Sequence, residues 1–407
     1  MTPCKHKSSP SGNPMRNNAN LNYAIGLNRF SLELIGAWPD GNEKAHGFKN
    51  LRILFMISCL VLFIFVPQMY ALSQVFRQLP LAIDNITTSS ATFVSIIKLW
   101  LLWNSRKGRS ALEPVVTSII ADWTSSKPLW EMNIMKKQAR RARMFTISGY
   151  AIMFSCFFGF IALPLCGLST RIVNNITDPN NGRYFPLQTK YPFPSEMSPY
   201  FELTYLSQLV TGGFVGIAFS VPDNWFGCLV FHASAQCEIL KMEKRNKLLQ
   251  LKLIQHVKTH VQLIKFVNAI EESFNELILV QVVFLSLIMC CLGFGVLRFF
   301  KYETEVPIFQ VVTLAGTLLN LLIHMLIYCI ASEIVAAHSS DFSQAIYFSY
   351  WYLLPAACAR DMIFVMNRSK FPLRLSAGKF FYLSLYSYLQ ILKTAFGYTS
   401  MLLAVNN

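Results

Sequence analysis

Charge is scarce in this sequence. Only 14% of its 407 residues are Asp, Glu, Lys or Arg, against roughly a quarter in a soluble domain, which leaves too little charge to coat a water-facing surface. Acidic groups are the rarer sign, 21 against 36 basic, for a net charge of +15. The basic excess is divided among segments between apolar runs and forms no continuous basic face, which argues against a nucleic-acid partner. The ten cysteines contain no C-x-x-C pair and no metal spacing. Half of them (Cys59, Cys156, Cys290, Cys291, Cys329) are examples that stand inside apolar runs, where a thiol behaves as a small hydrophobe, so neither a disulfide framework nor a metal centre is expected. No Ser-His-Asp arrangement, no glycine-rich phosphate loop and no carboxylate pair inside an apolar run is visible, so an enzyme is not indicated and no cofactor is implied. Internal repeats with interrupted half-helices, the mark of many transporters, are missing too. The first 50 residues are polar, and the first apolar run is not followed by a small-residue cleavage site, so no secretory signal is expected.

Long apolar runs are what the sequence does have. It is 53% hydrophobic with a mean hydropathy of +0.39. Runs bounded by charge fall at about 53–73, 84–103, 145–167, 203–221, 278–297, 307–330 and 383–405, each near the roughly 20 residues that cross a bilayer as helix. This predicts an all-α membrane protein with seven transmembrane helices. An eighth stretch, Phe342 to Val365, carries Tyr347, Tyr350, Trp351, Tyr352, Pro355, Arg360 and Asp361. It is too polar and aromatic for lipid and reads as a protein-packed cytosolic helix.

Orientation follows from the basic residues of alternate loops. Lys and Arg number 28 in residues 1–52, 104–145, 232–277 and 331–380, and 6 in the loops of the other side. Positive charge stays inside, so the N-terminus is placed in the cytosol and, after seven crossings, the C-terminus outside. The Asn-Ile-Thr sequons at Asn85 and Asn175 both fall on the outer side and are candidate glycosylation sites. The sequon at Asn367 falls inside and is expected to stay unused. From Gln250 onward, apolar residues at Leu253, Val257, Val261, Ile264, Val267, Ile270 and Phe274 recur at helical spacing, which predicts long helices projecting below the membrane. His256 and His260 lie four apart on such a helix but lack a third ligand, and read as a solvated face.

The last run poses a separate problem, because Lys393 sits near its middle, where a charge facing lipid is costly. Gln390, Thr394, Gly397, Met401 and Val405 share one helical face that is polar or small below and apolar above. Leu385, Tyr388, Leu392, Phe396, Thr399 and Leu403 make greasier sides suited to packing. A face of that kind suits a pore with an apolar constriction near its exit. Lys393 stands roughly 12 Å below Met401 at 1.5 Å per residue, where a wet vestibule would relieve its cost.

The C-terminal third resembles the signature of insect odorant receptors. The matching residues, in order and spacing, are Ser339 or Ser340, Ala345, Tyr347, Trp351, Arg360, Met366, Pro372, Leu375, Ala377-Gly378, Phe380, Leu383-Ser384, Ile391-Leu392-Lys393 and Tyr398. A second stretch, "DNWFGCLVFHASAQCEIL", is similar to the family's segment below the fourth span through Asp223, His232, Gln236 and Leu240. The resemblance implies a subunit of a tetrameric, ligand-gated, non-selective cation channel in the plasma membrane of an olfactory neuron dendrite. It divides the chain into a cytosolic N-terminal region (1–52), spans 1 to 6 with cytosolic extensions (53–330), a cytosolic anchor that includes the first half of segment 7 (331–382), and a pore-lining helix (383–407). The pore and gate would draw on Gln390, Lys393, Thr394, Gly397, Met401, Leu402 and Val405, with Met401 at the gate position. A small volatile ligand would sit between the outer halves of spans 2, 3, 4 and 6. These carry aromatic, hydroxyl and aliphatic side chains at Ser90, Phe93, Phe157, Phe158, Ile161, Tyr205, Leu209, Phe309, Thr313 and Thr317. The short stretch at 222–277 is unlike the shared co-receptor, so the chain resembles a tuning subunit that partners with co-receptor subunits in a heterotetramer. Gustatory receptors share this architecture but end in Thr-Tyr…Gln-Phe, and at Gly397, Tyr398, Ala404 and Val405 only Tyr398 agrees. A G-protein-coupled receptor would have its N-terminus outside, an Asp-Arg-Tyr after the third span and an Asn-Pro-x-x-Tyr in the last, none of which is found.

Overall fold

A computed structural model describes residues 19–39, 46–104, 109–165, 185–195, 197–243, 249–302, 308–348, 351–353 and 355–405. Helix α1 (Ala19–Ile35) precedes a three-part unit made of α2 (His46–Leu60), a π-helical turn (Val61–Phe65) and α3 (Val66–Val75). Proline in a membrane helix is accommodated by local π adjustments and outside hydrogen-bond partners, and Pro67 stands at the start of α3. Then come α4 (Leu79–Trp103), α5 (Arg109–Thr124), α6 (Leu129–Leu165), α7 (Tyr200–Glu243), α8 (Leu249–Tyr302), α9 (Ile308–Tyr347), a 3-10 turn (Trp351–Leu353), α10 (Ala356–Ser369) and α11 (Leu385–Val405).

Five stretches among the described residues are apolar and long enough to cross a membrane: Asn50–Val75, Leu81–Trp103, Tyr200–Lys241, Val257–Val296 and Ala315–Gln344. The two other expected spans are helical in α6 and, from Leu385 onward, in α11. The helices outrun their spans. At 1.5 Å per residue the 54 residues of α8 extend roughly 80 Å, against a hydrocarbon core of roughly 30 Å. The long projections expected from periodicity are therefore present. Their buried stripe in α8 coincides with the one read off the sequence at Val267, Ile270 and Phe274, adds Leu263 and Phe266, and leaves Val261 exposed. His260 is buried and stacks 4.6 Å from the Phe342 ring, so it is a core histidine and not part of a solvated face.

The stretch from Phe342 to Val365 is not one helix. Pro355 disfavours helix at the residue before it and has no N–H to give; α10 begins right after it. One side of this region packs within the chain, through Phe342, Ile346 and Met362, while Tyr347, Phe348, Tyr352 and Phe364 are exposed on the other. Between α10 and α11, β1 (Ser376–Ala377) and β2 (Phe381–Tyr382) pair antiparallel, Ser376 opposite Tyr382. Their turn needs positive φ at Gly378 (57°) and Lys379 (62°). The Gly378 N–H donates to the Asn275 carbonyl at 2.8 Å, and any Cβ there would strike Leu279 of α8. Glycine is the side chain that lets this hairpin seat on α8.

Beyond the apolar part of α7, Asp122 of α5 gathers His232 Nε2 (3.1 Å), Gln236 Nε2 (3.0 Å) and Lys127 Nζ (3.3 Å). Burial alone would raise this carboxyl. The His232 hydrogen bond and charge, with Lys127, outweigh burial and hold it below its ordinary value.

Candidate functional site

A cavity of about 290 Å³ lies between α4, α6, α7 and α9, near the lower end of the usual range for ligand pockets. Its middle is apolar. Met153 and Phe157 of α6 face Gly212, Val215 and Gly216 of α7 and Leu321 of α9. The two glycines make the room: a Cβ on Gly212 would reach the Phe157 ring at 3.6 Å, and one on Gly216 would press on Met153 at 3.2 Å.

Its deep end is polar. Asp223 of α7 and His324 of α9 line the cavity there, and Lys98 of α4 closes on them from behind. The Lys98 Nζ donates to both Asp223 oxygens at 2.7 Å and to the Phe219 carbonyl at 2.8 Å, and lies 4.1 Å from the centre of the Phe219 ring. Lys98 is fully buried and Asp223 nearly so. A charge at that depth persists only when paired and hydrogen-bonded. His324 Nε2 meets Asp223 Oδ2 at 2.8 Å. Because Lys98 and Asp223 already balance in charge, the arrangement with no net charge has a neutral imidazole donating Nε2–H to the carboxylate.

The segment 185–195 roofs the other end. Pro186 and Leu187 touch the cavity, and Gln208 of α7 pins them: its Oε1 accepts from the Leu187 N–H at 3.2 Å while its Nε2 donates to Thr189 Oγ1 at 2.8 Å. On the far side, the Lys190 N–H donates to the Pro67 carbonyl at 3.1 Å. Pro67 has no N–H for the Phe63 carbonyl four residues back, and the Tyr191 hydroxyl donates to that carbonyl at 2.9 Å.

The expected ligand residues divide by helix face. Phe157 and Thr317 line the cavity. Ser90 is buried and donates to its own helix at Ile86. Phe93 points to another side of α4 and stacks with Phe65 and Phe284, at 5.6 and 5.2 Å. Phe158 is exposed, Tyr205 is buried beside Phe201, and Leu209 is half-buried away from the cavity. The side chains of Ile161, Phe309 and Thr313 lie outside the described residues. Asn320, His324 and Tyr328 share the α9 face of Thr317, at offsets of three, seven and eleven. A polar stripe of that spacing inside an apolar span was visible in the sequence and went unread, as did the pairing of two ionisable groups within spans, Lys98 and Asp223.

On α11, Gln390, Lys393, Thr394, Gly397 and Met401 are exposed, while Ala395 and Thr399 are buried against the neighbouring helices. Thr399 Oγ1 reaches the Cys290 carbonyl of α8 at 3.4 Å, and Tyr388 donates to the Leu322 carbonyl of α9, also at 3.4 Å. Tyr388 and Thr399 thus pack as expected, but Leu385 and Phe396 are exposed. The side chains of Leu402, Leu403 and Val405 lie outside the described residues. Asn85 is buried, and its amide nitrogen, the atom a glycan would occupy, donates to the Gln68 and Gln188 carbonyls at 3.3 Å each. That leaves no access to the sequon in the folded chain. Asn175 lies outside the described residues.

Long apolar helices enclosing a pocket with one polar end define an all-α, multi-pass membrane protein of receptor type. The sequence model of the 7tm odorant receptor family matches residues 78–396. Among curated relatives, the chain is 23% identical over 361 residues to odorant receptor 9a of Drosophila melanogaster, covering 85% of this chain and 87% of that one. It is 20% identical over 392 residues to odorant receptor 10a of the same fly, with 92% and 93% covered. Its fold is similar to the insect olfactory receptor OR5 of Machilis hrabei, solved alone and in complex with eugenol. The TM-score is 0.79 at 18% identity, over 94% of this chain and all of that one. The chain belongs to the insect odorant receptor family.

Proposed function

We propose that this odorant receptor is a tuning subunit of a ligand-gated, non-selective cation channel, with its N-terminus in the cytosol and its C-terminus outside. The carrying observation is the cavity enclosed by spans 2, 3, 4 and 6, with Phe157 and Thr317 on its wall. It suits a small volatile molecule: an apolar middle for the body and a few polar groups to orient the head. Supporting the channel reading, α11 leaves Gln390, Lys393, Thr394, Gly397 and Met401 uncovered in a single chain. In a tetramer with co-receptor subunits in the dendritic membrane, that stripe would line a shared conduit, with Met401, Leu402 and Val405 forming the apolar constriction. The orientation draws on the 28 to 6 split of basic residues between the two sides.

The test is a current recording from cells expressing the chain with a co-receptor. Odorant should evoke a cation current that survives removal of GTP. Cysteines at Gln390, Thr394, Gly397 and Met401 should react with a water-soluble thiol reagent and alter the current, and cysteines at Ala395 and Thr399 should not. A response abolished by G-protein block, or reactivity unrelated to this face, would overturn the reading.

A further inference from the structure

The polar atoms of the cavity wall share a bias. Most of its donor hydrogens are already spent inside the protein. Thr88 and Thr92 donate to carbonyls one turn back, at Asp84 and Thr88. Ser148 donates to Phe145 O at 2.8 Å. Gln208 spends its amide hydrogens on Thr189 and Tyr191, Asn320 donates to Cys156 Sγ at 3.5 Å, and in the charge-balanced arrangement the His324 Nε2 that meets Asp223 carries its hydrogen. What remains toward the cavity is mainly oxygen lone pairs and the second imidazole nitrogen, beside one further Asn320 amide hydrogen. The Asn224 amide nitrogen is sealed, with no accessible surface. The Tyr328 hydroxyl is sealed likewise, and the Ser220 hydroxyl can serve in either role.

Resting on the reading of this cavity as the ligand site, we infer that it selects volatiles bearing one neutral hydrogen-bond donor, alcohols and phenols, over their ether and carbonyl counterparts. His324 Nδ1 is the principal acceptor. With Nε2–H committed to Asp223, Nδ1 carries a lone pair and is not sealed from the cavity. A hydroxyl that donates to it completes the chain from ligand through His324 and Asp223 to Lys98. An ether or ketone brings a second acceptor to the same atoms and satisfies none of them, while losing its own water. A cationic amine is disfavoured, because the cluster already balances in charge and has no spare negative charge to offer.

The experiment is a thermal-shift titration of the purified full-length chain with matched pairs, 4-methylphenol against 4-methylanisole and hexan-1-ol against hexanal. The phenol and the alcohol should bind at least about 10-fold tighter, as expected where a site pairs a ligand hydroxyl. His324→Phe should bring each ratio near one. His324→Gln, which keeps an N–H for Asp223 and offers an amide oxygen in place of Nδ1, should retain most of the preference. Gly212→Trp, which fills the cavity against Phe157, should abolish binding of all four compounds. Equal affinity within the wild-type pairs, with Gly212→Trp still silencing them, would refute donor selection and leave the cavity reading intact. Binding that persists in Gly212→Trp would overturn both. The wild-type ratios decide the matter even if His324→Phe does not fold.

Discussion

Replacing Lys98 with methionine tests whether the charge at the deep end of the cavity holds the bundle together. Methionine fills a similar length of apolar space, so the change is chiefly electrical. Asp223 would lose the donor that contacts both its oxygens at 2.7 Å and keep only His324 at 2.8 Å. Removing one member of a buried pair leaves an uncompensated charge, which costs about 3–5 kcal/mol. A shift of about 1–2 °C per kcal/mol at this chain length puts the fall in melting temperature on the order of 5 °C. The double variant Lys98→Met, Asp223→Asn removes both charges and leaves an amide that His324 can still bond. It should recover most of that loss, for a coupling energy of at least about 2 kcal/mol. Melting of the four proteins in detergent, followed by light scattering or intrinsic fluorescence, supplies the cycle. If Lys98→Met melts with the wild type, or the double variant is no better than the single, the pair does not bridge α4 to α7 as described.

Two further outcomes follow from groups outside the cavity. Thr87→Ala destroys the first sequon without touching the Asn85 amide, and gel mobility before and after glycosidase should match the wild type. A glycosidase-sensitive band lost in Thr87→Ala would show that Asn85 is modified after all. Asp122→Asn should destabilise the chain near neutral pH by about 1.5–3 kcal/mol, the range for hydrogen bonds to a charged group. Because the folded carboxyl titrates below its ordinary 3.8, its contribution is complete above that pH and is lost as pH falls through the lower folded value. The gap between Asn and Asp in a melting series should therefore close only at strongly acidic pH, and a gap that closes near neutrality would refute the assignment.

The helices were legible because burial in lipid or protein leaves long apolar runs, whereas Ala377-Gly378 stood out only through the family signature, and the hairpin they form, with its positive φ, came from the structure. On α11 the sequence expectation of two distinct faces is met at Tyr388 and Thr399, which pack, and fails at Leu385 and Phe396, which are as exposed as the Gln390 to Met401 face. The ligand site was harder to read. On α4 the cavity takes Thr88, Ala91 and Thr92, while Ser90 and Phe93, of the same chemical types, face elsewhere. In a span where every side is buried or lipid-facing, composition does not mark which side meets a void. The void itself depends on Gly212 and Gly216, whose effect is the absence of atoms. Lys98 and Asp223 lie 125 residues apart, and nothing local ties one to the other. Pro355 stands in an aromatic, apolar run whose composition reads as one helix, and the missing N–H of the proline divides that run before α10.

The Tyr191 hydroxyl on the Phe63 carbonyl also constrains how such receptors can diverge. Proline at 67 leaves one helix a backbone donor short, and Tyr191, 128 positions beyond Phe63, donates to the Phe63 carbonyl. Either residue changed alone leaves a loss: without the tyrosine the Phe63 carbonyl gives up this hydrogen bond, and without the proline a new backbone N–H enters the π turn beside it. The pair should therefore drift together across descendants of this gene. A lineage that trades both would be free to rebuild the roof of its cavity, and with it the range of molecules admitted, without disturbing the ion pair at the floor.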